Sequence, residues 1–336
     1  HRDLRRLGER VGGAAHGAGR HRAGREITVR LGLDIGGTKT DAVAIGEDGR
    51  VVETLRLPTG FGADVVLHTA VVAVEQLSRA TETPIAEFTS IGIGIPGAVD
   101  ADTGRVSHAV NLGLADLELG GLLRDRLGHP VRVENDVNAA ALGAFHLQGL
   151  GSGQSMAYLN LGTGLAAGLV LGGELWRGVS GVAGEIGHIP VDPAGPVCPC
   201  GQRGCLELYA SGSAVARQWP SDDPLPVRAL FDAAASGDAV AAAVRDRLLQ
   251  GAAEAARLLV LTVDVDDVVI GGGISRLGEP LIAGVRGIIA RWEADSPFVA
   301  SLHLGERVRL LPPDFPAAAV GAAFVGDPEA NAVEVV

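Results

Sequence analysis

Lysine, sulfur and aromatic side chains are scarce in this sequence. Lys39 is its single lysine, beside 27 arginines; there are one methionine and three cysteines, and aromatic residues make up 4% of the 336 positions. The cysteines, Cys198, Cys200 and Cys205, fall within eight residues. An odd, clustered count argues against a disulfide framework and for metal ligation in a reducing compartment, so the cytoplasm is the expected location. Long apolar runs are missing too. The charge-free stretch from Val137 to Gly173 is broken by Asn138, His146, Gln148, Ser152, Gln154, Asn160 and many glycines, which excludes a membrane-spanning helix.

Positive charge is in deficit. The net charge is −12, yet residues 1–30 carry eight arginines against Asp3, Glu9 and Glu26, a local +5 that leaves −17 over everything after Arg30. The acidic body is expected to repel nucleic acid. Residues 1–29 show neither apolar periodicity nor the apolar core of a secretory signal, and read as a basic, disordered head. With 47% hydrophobic and 20% charged residues the remainder is neither disordered nor fibrous, and its length suits roughly two domains of about 150 residues.

What is abundant is glycine, 49 residues, clustered at the ends of apolar runs as at strand-to-turn junctions. Arg30 to Ile35, Ala42 to Ile45 and Val51 to Leu57 read as a β-meander, followed by a helix over Ala63 to Ala80 and a strand over Ser90 to Ile95. Leu117 to Leu127 reads as a helix, Val131 to Glu134 as a strand and Val137 to Gln148 as a helix. A second strand set follows, Met156 to Leu161, Leu165 to Leu171 and Glu174 to Arg177, then helices near Ser213 to Arg217, Val227 to Ala235 and Ala239 to Leu261. The chain closes with a strand over Asp267 to Ile270, a helix over Gly278 to Trp292, a strand over Val308 to Leu311 and a helix over Pro316 to Val325. Glycine–threonine turns open both strand sets, a short internal echo that suggests two related halves.

Five constellations carry chemistry. In the first, Asp34-Ile35-Gly36-Gly37-Thr38-Lys39, a strand ends in a carboxylate and enters a turn whose backbone N–H groups stand clear of any Cβ. Such a turn can cradle phosphate while Asp34 holds a hydrated Mg2+, or it is an ordinary hairpin; the solitary Lys39 favours the phosphate reading. The second, Gly162-Thr163-Gly164, would let two hairpins clamp a polyphosphate from both sides. The third, Gly271-Gly272-Gly273, ends a strand where backbone could lie flat against a purine, or is a turn without ligand. The fourth, Glu134-Asn135-Asp136, places a carboxylate where strand meets helix, either as the acceptor of an attacking hydroxyl's proton or as a helix N-cap.

The fifth constellation is His188 with Cys198, Cys200 and Cys205, one imidazole and three thiolates that would complete a closed tetrahedral structural zinc shell. Inert thiols or a Cys200–Cys205 disulfide are the other readings. Glu185 and Glu207 flank this loop, and closing it would bring both carboxylates to one rim suited to sugar hydroxyls.

Together these motifs resemble the ROK family, bacterial sugar kinases and repressors within the actin-like ATPase superfamily. The resemblance runs over residues 30–326 and also includes Gly92-Ile93-Gly94-Ile95-Pro96-Gly97 and Gly184-Glu185-Ile186-Gly187-His188. It implies an α/β fold of two actin-like (ribonuclease H-like) domains around a central cleft. The expected division is 30–136 and 137–315, with the zinc loop 188–205 in the second domain and the closing helix 316–326 returning to the first. It further implies Asp136 as base, with Gly97, Asn111, Asn135, Asp136, Glu185, His188 and Glu207 holding the sugar, His188 serving zinc as well. Asp34, Gly36, Gly37, Thr38, Lys39, Gly162, Thr163, Gly164 and Gly271 to Gly273 would hold ATP with Mg2+. Three positions depart from the family pattern: Ala166 replaces a glycine of the second hairpin, Asn111-Leu112-Gly113-Leu114 lacks an aromatic residue, and Ala144 replaces an acidic one.

The expected activity is an ATP-dependent, glucokinase-like hexose kinase, homodimeric by family habit. Two rivals remain. A sugar-responsive transcriptional regulator would need a helix-turn-helix module of about sixty residues, of which the Arg-rich residues 1–29 would be a relic or truncated end. A sugar-binding protein without catalysis would not need Asp34, Lys39 and Asp136.

Overall fold

A computed structural model describes residues 28–326. The expected basic head, residues 1–29, lies almost wholly outside the described residues. Among the described residues no helix is long and apolar enough to cross a membrane.

The first half opens with β1 (Arg30–Ile35), β2 (Lys39–Ile45) and β3 (Val51–Pro58), then α1 (Ala63–Ala80) and β4 (Ser90–Ile95). Three short strands follow, β5 (Ala98–Asp100), β6 (Arg105–Ala109) and β7 (Leu114–Leu117), then α2 (Leu119–Leu127), β8 (Arg132–Asn135) and α3 (Asp136–Leu147). The second half continues with β9 (Met156–Leu161), β10 (Leu165–Leu171), β11 (Glu174–Trp176), α4 (Gly212–Gln218), α5 (Pro226–Ala235), α6 (Ala239–Val263) and β12 (Asp267–Gly271). It ends with α7 (Glu279–Asp295), α8 (Pro297–Ser301), α9 (Leu304–Arg307), β13 (Val308–Leu310) and α10 (Ala317–Val325).

Two five-stranded sheets result, ordered β3-β2-β1-β4-β8 and β11-β10-β9-β12-β13. Their pairing is the same in kind. In each, the two hairpin pairs of the meander are antiparallel and the two further strands add in parallel. The glycine turns β1–β2 and β9–β10 therefore occupy equivalent places, so the internal echo in the sequence has a topological counterpart. β4 and β12 are buried along their whole length, as expected of central parallel strands read as unbroken apolar runs.

α3 is buried at every position from Asn138 to Phe145 and α10 from Ala319 to Val325, so both helices are covered on several faces. α10 packs on β1 and β4, where a Cβ at Gly32 or Gly92 would fall 1.9 and 1.8 Å from the carbonyl oxygens of Ala319 and Ala322. α3 lies against both α10 and β10, so this helix pair forms the layer between the sheets. His146 of α3 stacks on Phe324 of α10 with ring centroids 3.7 Å apart, and burial pushes its pKa down to about 4.

Three local expectations are corrected. β2 starts at Lys39 rather than Ala42, because Gly36 N–H donates to the Lys39 carbonyl at 3.0 Å and closes the hairpin tightly. The helix expected from Leu117 starts at Leu119, since Leu114 to Leu117 pair with β6. The β5-β6-β7 sheet was not expected at all; its strands are three to five residues long, too short to display alternation.

Candidate active site

Asp34 is half-buried on the last turnward residues of β1, directly across from Asp41 on β2 and Gly94 on β4. Its pKa is raised to about 7, first by burial, then by the charges of Asp136 and Asp41, with Lys39 opposing. Lys39 Nζ lies 3.2 Å from Asp41 Oδ2, and Asp41 also takes the Arg56 guanidinium in a two-point contact. The solitary lysine is thus paired on its own strand while still half exposed. Gly37 and Thr38 are exposed at the tip, and the would-be Cβ of Gly37 lies 3.2 Å from Asn111 Cβ, so the first hairpin rests on the Asn111 segment.

The junction of β8 with α3 carries Glu134, Asn135 and Asp136. Asn135 is the N-cap: its Oδ1 accepts the Val137 and Asn138 amide hydrogens at 2.9 and 3.3 Å, and its Nδ2 donates to the Gly97 carbonyl at 3.2 Å. The capping task open to Asp136 in the sequence therefore belongs mainly to its neighbour. The Asp136 carboxylate accepts its own backbone amide and, at Oδ1, Val137 N–H at 3.0 Å. Burial holds the Asp136 carboxyl above the ordinary carboxylate range against those amides, and the charge of Glu185 adds to the rise.

The second hairpin is fastened by backbone. Gly162 and Thr163 carbonyls accept the amide hydrogens of Gly212 and Ser213 at 2.8 and 3.1 Å, where α4 begins. Glu207 Oε2 accepts Leu165 N–H at 2.9 Å and would lie 2.5 Å from a Cβ at Gly164, so this glycine makes room for a carboxylate. The glycine triplet is adjacent. A Cβ on Gly271 would fall 2.2 Å from the Tyr158 hydroxyl, and one on Gly272 2.6 Å from Asn160 Oδ1; Gly273 is open.

Tyr158 was missed in the sequence because it sits inside an ordinary apolar strand. Its buried hydroxyl accepts from the Gly272 amide and lies within electrostatic reach of Asp34 and Asp136; burial holds its ionisation well above the ordinary range. Asp34, Asp136, Glu185 and Tyr158, drawn from both sheets and from the segment after β11, are thus linked electrostatically, Asp136 reaching each of the other three. Gly97 and Asn111 border this group through Asn135 and Gly37.

His188, Cys198, Cys200 and Cys205 converge with all ligand atoms within 4.8 Å of one another. Cys198 Sγ is 3.8 Å from His188 Nδ1, and Cys200 Sγ is 3.6 Å from Cys205 Sγ. Cys198 N–H donates to the Gln202 carbonyl at 2.7 Å, forming the knuckle that presents the thiols. All three cysteines are free, so the Cys200–Cys205 disulfide reading falls away. The other imidazole nitrogen, Nε2, faces Glu185 Oε2 at 4.0 Å, so His188 points one nitrogen at the thiols and one toward the Asp136 side. Two surface cavities of about 410 and 640 Å³ border α6 and touch none of these groups.

A family model described as ROK family matches residues 30–310. The glucokinase of Halalkalibacterium halodurans is 34% identical over 277 residues, covering 76% of this chain and 83% of its own length. The crystal structure of the ROK hexokinase from Thermus thermophilus matches with a TM-score of 0.74 at 32% identity, over 90% of this chain and 99% of that one. A ROK family glucokinase from Streptomyces griseus, crystallised in complex with glucose and AMPPNP, matches with a TM-score of 0.69 at 32% identity, over 89% of this chain and 99% of that one.

Proposed function

The chain belongs to the ROK family, and from that premise we propose that it is an ATP-dependent hexose kinase acting on the 6-hydroxyl of glucose or a related aldohexose or N-acetylhexosamine. One observation carries the reading. Asn135 caps α3 and leaves Asp136 half-buried beside it, where the charge of Asp136 raises the Asp34 carboxyl and the charge of Glu185 raises that of Asp136.

In the proposed reaction residues 30–136 and 137–315 act as two actin-like lobes, α10 belonging with the first. The backbone of Gly36 to Lys39 and of Gly162 to Gly164 grips the phosphates, and Gly271 to Gly273 lies against the base. Asn111, Asn135, Glu185, His188 and Glu207 orient the sugar beside Gly97. Asp136 takes the hydroxyl proton as the sugar oxygen bonds to the γ-phosphorus; the bond from that phosphorus to the β–γ bridging oxygen breaks, and ADP leaves. A raised proton affinity suits a carboxylate that must hold that proton through the transfer.

The Asp34 carboxyl, which feels the charges of Asp136 and Asp41, suits a hydrated Mg2+, which would neutralise phosphate charge during transfer. The thiol–imidazole cluster fits zinc. Its 3.6 and 3.8 Å edges match the spacing of about 3.5–3.8 Å that tetrahedral Zn–S and Zn–N bonds require. Four protein ligands leave no open position, so that metal would brace the loop bearing Glu207. We place the protein in the cytoplasm, where thiols stay reduced, as a homodimer.

The test is a coupled assay with Mg-ATP across glucose, mannose, fructose, N-acetylglucosamine and N-acetylmannosamine. Asp136→Asn should lower kcat by about 10³-fold or more while sugar affinity stays within about threefold. Undiminished turnover in that variant would overturn the base assignment. Salt-dependent binding of the full chain to duplex DNA without turnover would favour the regulator instead.

A further inference from the structure

Of the described charges that the kinase reading leaves without a task, Glu134 is the most deeply buried. Glu134 is 2% exposed at the end of β8, and its carboxylate is fully engaged. Oε1 accepts the Asn135 amide hydrogen at 3.0 Å and the Asn138 side-chain amide at 2.9 Å; Oε2 accepts Arg177 Nε–H at 2.6 Å. Arg177 follows β11, on the edge of the other sheet, and its side chain is 37% exposed. The pair therefore crosses from one sheet to the other.

Each partner is attached to a different part of the site. On one side, Glu134 holds the backbone of Asn135 and the side chain of Asn138, flanking Asp136 in the first turn of α3. On the other, the Arg177 carbonyl accepts Ala183 N–H at 3.2 Å, which closes the loop ahead of Glu185 and His188. That loop is tied at its far end to β10, where Ala167 N–H donates to the Gly184 carbonyl at 2.8 Å. The loop that leads to Glu185 and His188 is thus held by β10 at one end and, at the other, by a residue that contacts Glu134 beside Asp136.

We propose that Glu134 and Arg177 are positioning residues that align the sugar-holding segment 183–188 with Asp136, and that they act on the acceptor rather than on the nucleotide. This role rests on the kinase reading. An arginine–carboxylate contact suits the task because its bond directions are fixed, whereas an apolar contact would allow sliding. Near-attack alignment is sensitive to small displacements, so loosening this contact should appear in kcat.

The experiment compares wild type, Arg177→Gln, Arg177→Lys, Glu134→Gln and the double variant Glu134→Gln/Arg177→Gln, with melting temperatures measured throughout. Arg177→Gln is expected to lose about 10- to 100-fold in kcat while KM for Mg-ATP stays within about twofold, and Arg177→Lys to recover part of the loss. The two single effects should not multiply in the double variant, because they break one contact. If Arg177→Gln fails to fold around its unpaired carboxylate, the double variant, which removes both charges, is the one to read: a loss of about tenfold or more in kcat supports the role, and full activity overturns it. Multiplying losses, or a rise in KM for Mg-ATP with kcat unchanged, also overturn it. The wild type separates the two readings. If it phosphorylates no hexose the kinase reading fails, whereas wild-type turnover retained within about twofold in a folded Arg177→Gln overturns the positioning role alone.

Discussion

Glu207 accepts the Leu165 amide hydrogen at 2.9 Å, which bonds the end of the cysteine-rich segment to the second glycine hairpin. A residue assigned to the sugar by resemblance is thereby also part of the wall that shapes the second glycine hairpin. Because Glu207 lies two residues beyond Cys205, the thiol cluster and the hairpin are mechanically connected.

That connection separates two substitutions at one position. Glu207→Gln retains an oxygen for the Leu165 amide and is expected to leave KM for Mg-ATP within about twofold while weakening sugar binding. Glu207→Ala leaves the hairpin amide without its partner and should raise both KM values, the nucleotide's by about fivefold or more, since a lost charge-assisted bond is worth about 1.5–3 kcal/mol. Initial-rate kinetics in both substrates decide the matter; equal nucleotide KM values in the two variants would contradict it.

Metal removal should act on the same wall. Burial and the neighbouring thiols raise the Cys205 thiol above its ordinary range, so a bound cation must displace its proton and metal binding is expected to tighten as pH rises. Metal analysis should find one zinc per chain. Chelation should lower the melting temperature by more than about 5 °C and raise KM for both substrates, and Cys198→Ser should do the same without chelator. A chain that melts identically with and without chelator would show that the knuckle is held by its backbone bonds alone.

Asp34 gives a stability signature of unusual sign. Its pKa is about 7 in the folded chain against an ordinary 3.8, so between those values the folded state binds more protons than the unfolded state. Stability contributed at this position is full below about pH 4 and falls as pH rises to about 7; Asp136, also raised, acts in the same direction. Without Mg2+ and nucleotide, Asp34→Asn is expected to be more stable than wild type at pH 8 and to lose that advantage by pH 4. Urea midpoints across this range provide the check, and added Mg2+ at pH 8 should stabilise the wild type but not the variant.

Convergence carried by short local spacing was readable from sequence. The thiols of Cys198, Cys200 and Cys205 meet because tight turns close over a few residues, and Asp34 and Asp136 mark strand ends that sheet geometry places together. Contacts between segments distant in sequence left no such trace. Glu134 and Arg177 stand 43 positions apart, and nothing in either neighbourhood signals the other. Tyr158 reads as one more apolar strand residue until β12 is laid beside β9 and brings Gly272 over its hydroxyl. The Lys39–Asp41 pair was within reach, because residues i and i+2 of a strand share a face, but recognising it required knowing that β2 begins at Lys39.

The layer between the sheets yields the last prediction. A Cβ at Gly321 of α10 would lie 1.7 Å from the Ala139 carbonyl oxygen of α3, and one at Gly143 of α3 would lie 2.0 Å from the Ala317 carbonyl oxygen. Both obstacles are helix backbone, which cannot swing aside as a side chain does, so even one methyl group must push the helices apart. Since α10 also lies on β1 and α3 on β10, the displacement is passed to the strands that carry Asp34 and the second hairpin. Gly321→Ala is therefore expected to destabilise the protein by about 2–3 kcal/mol and to lower kcat as well. Ala318→Gly, in the same helix but removing a methyl group rather than adding one, should cost only about 1 kcal/mol and leave kcat nearly unchanged. Chemical denaturation paired with initial rates tests both. A Gly321→Ala protein with wild-type stability would mean that the two helices are not held at the separation seen here.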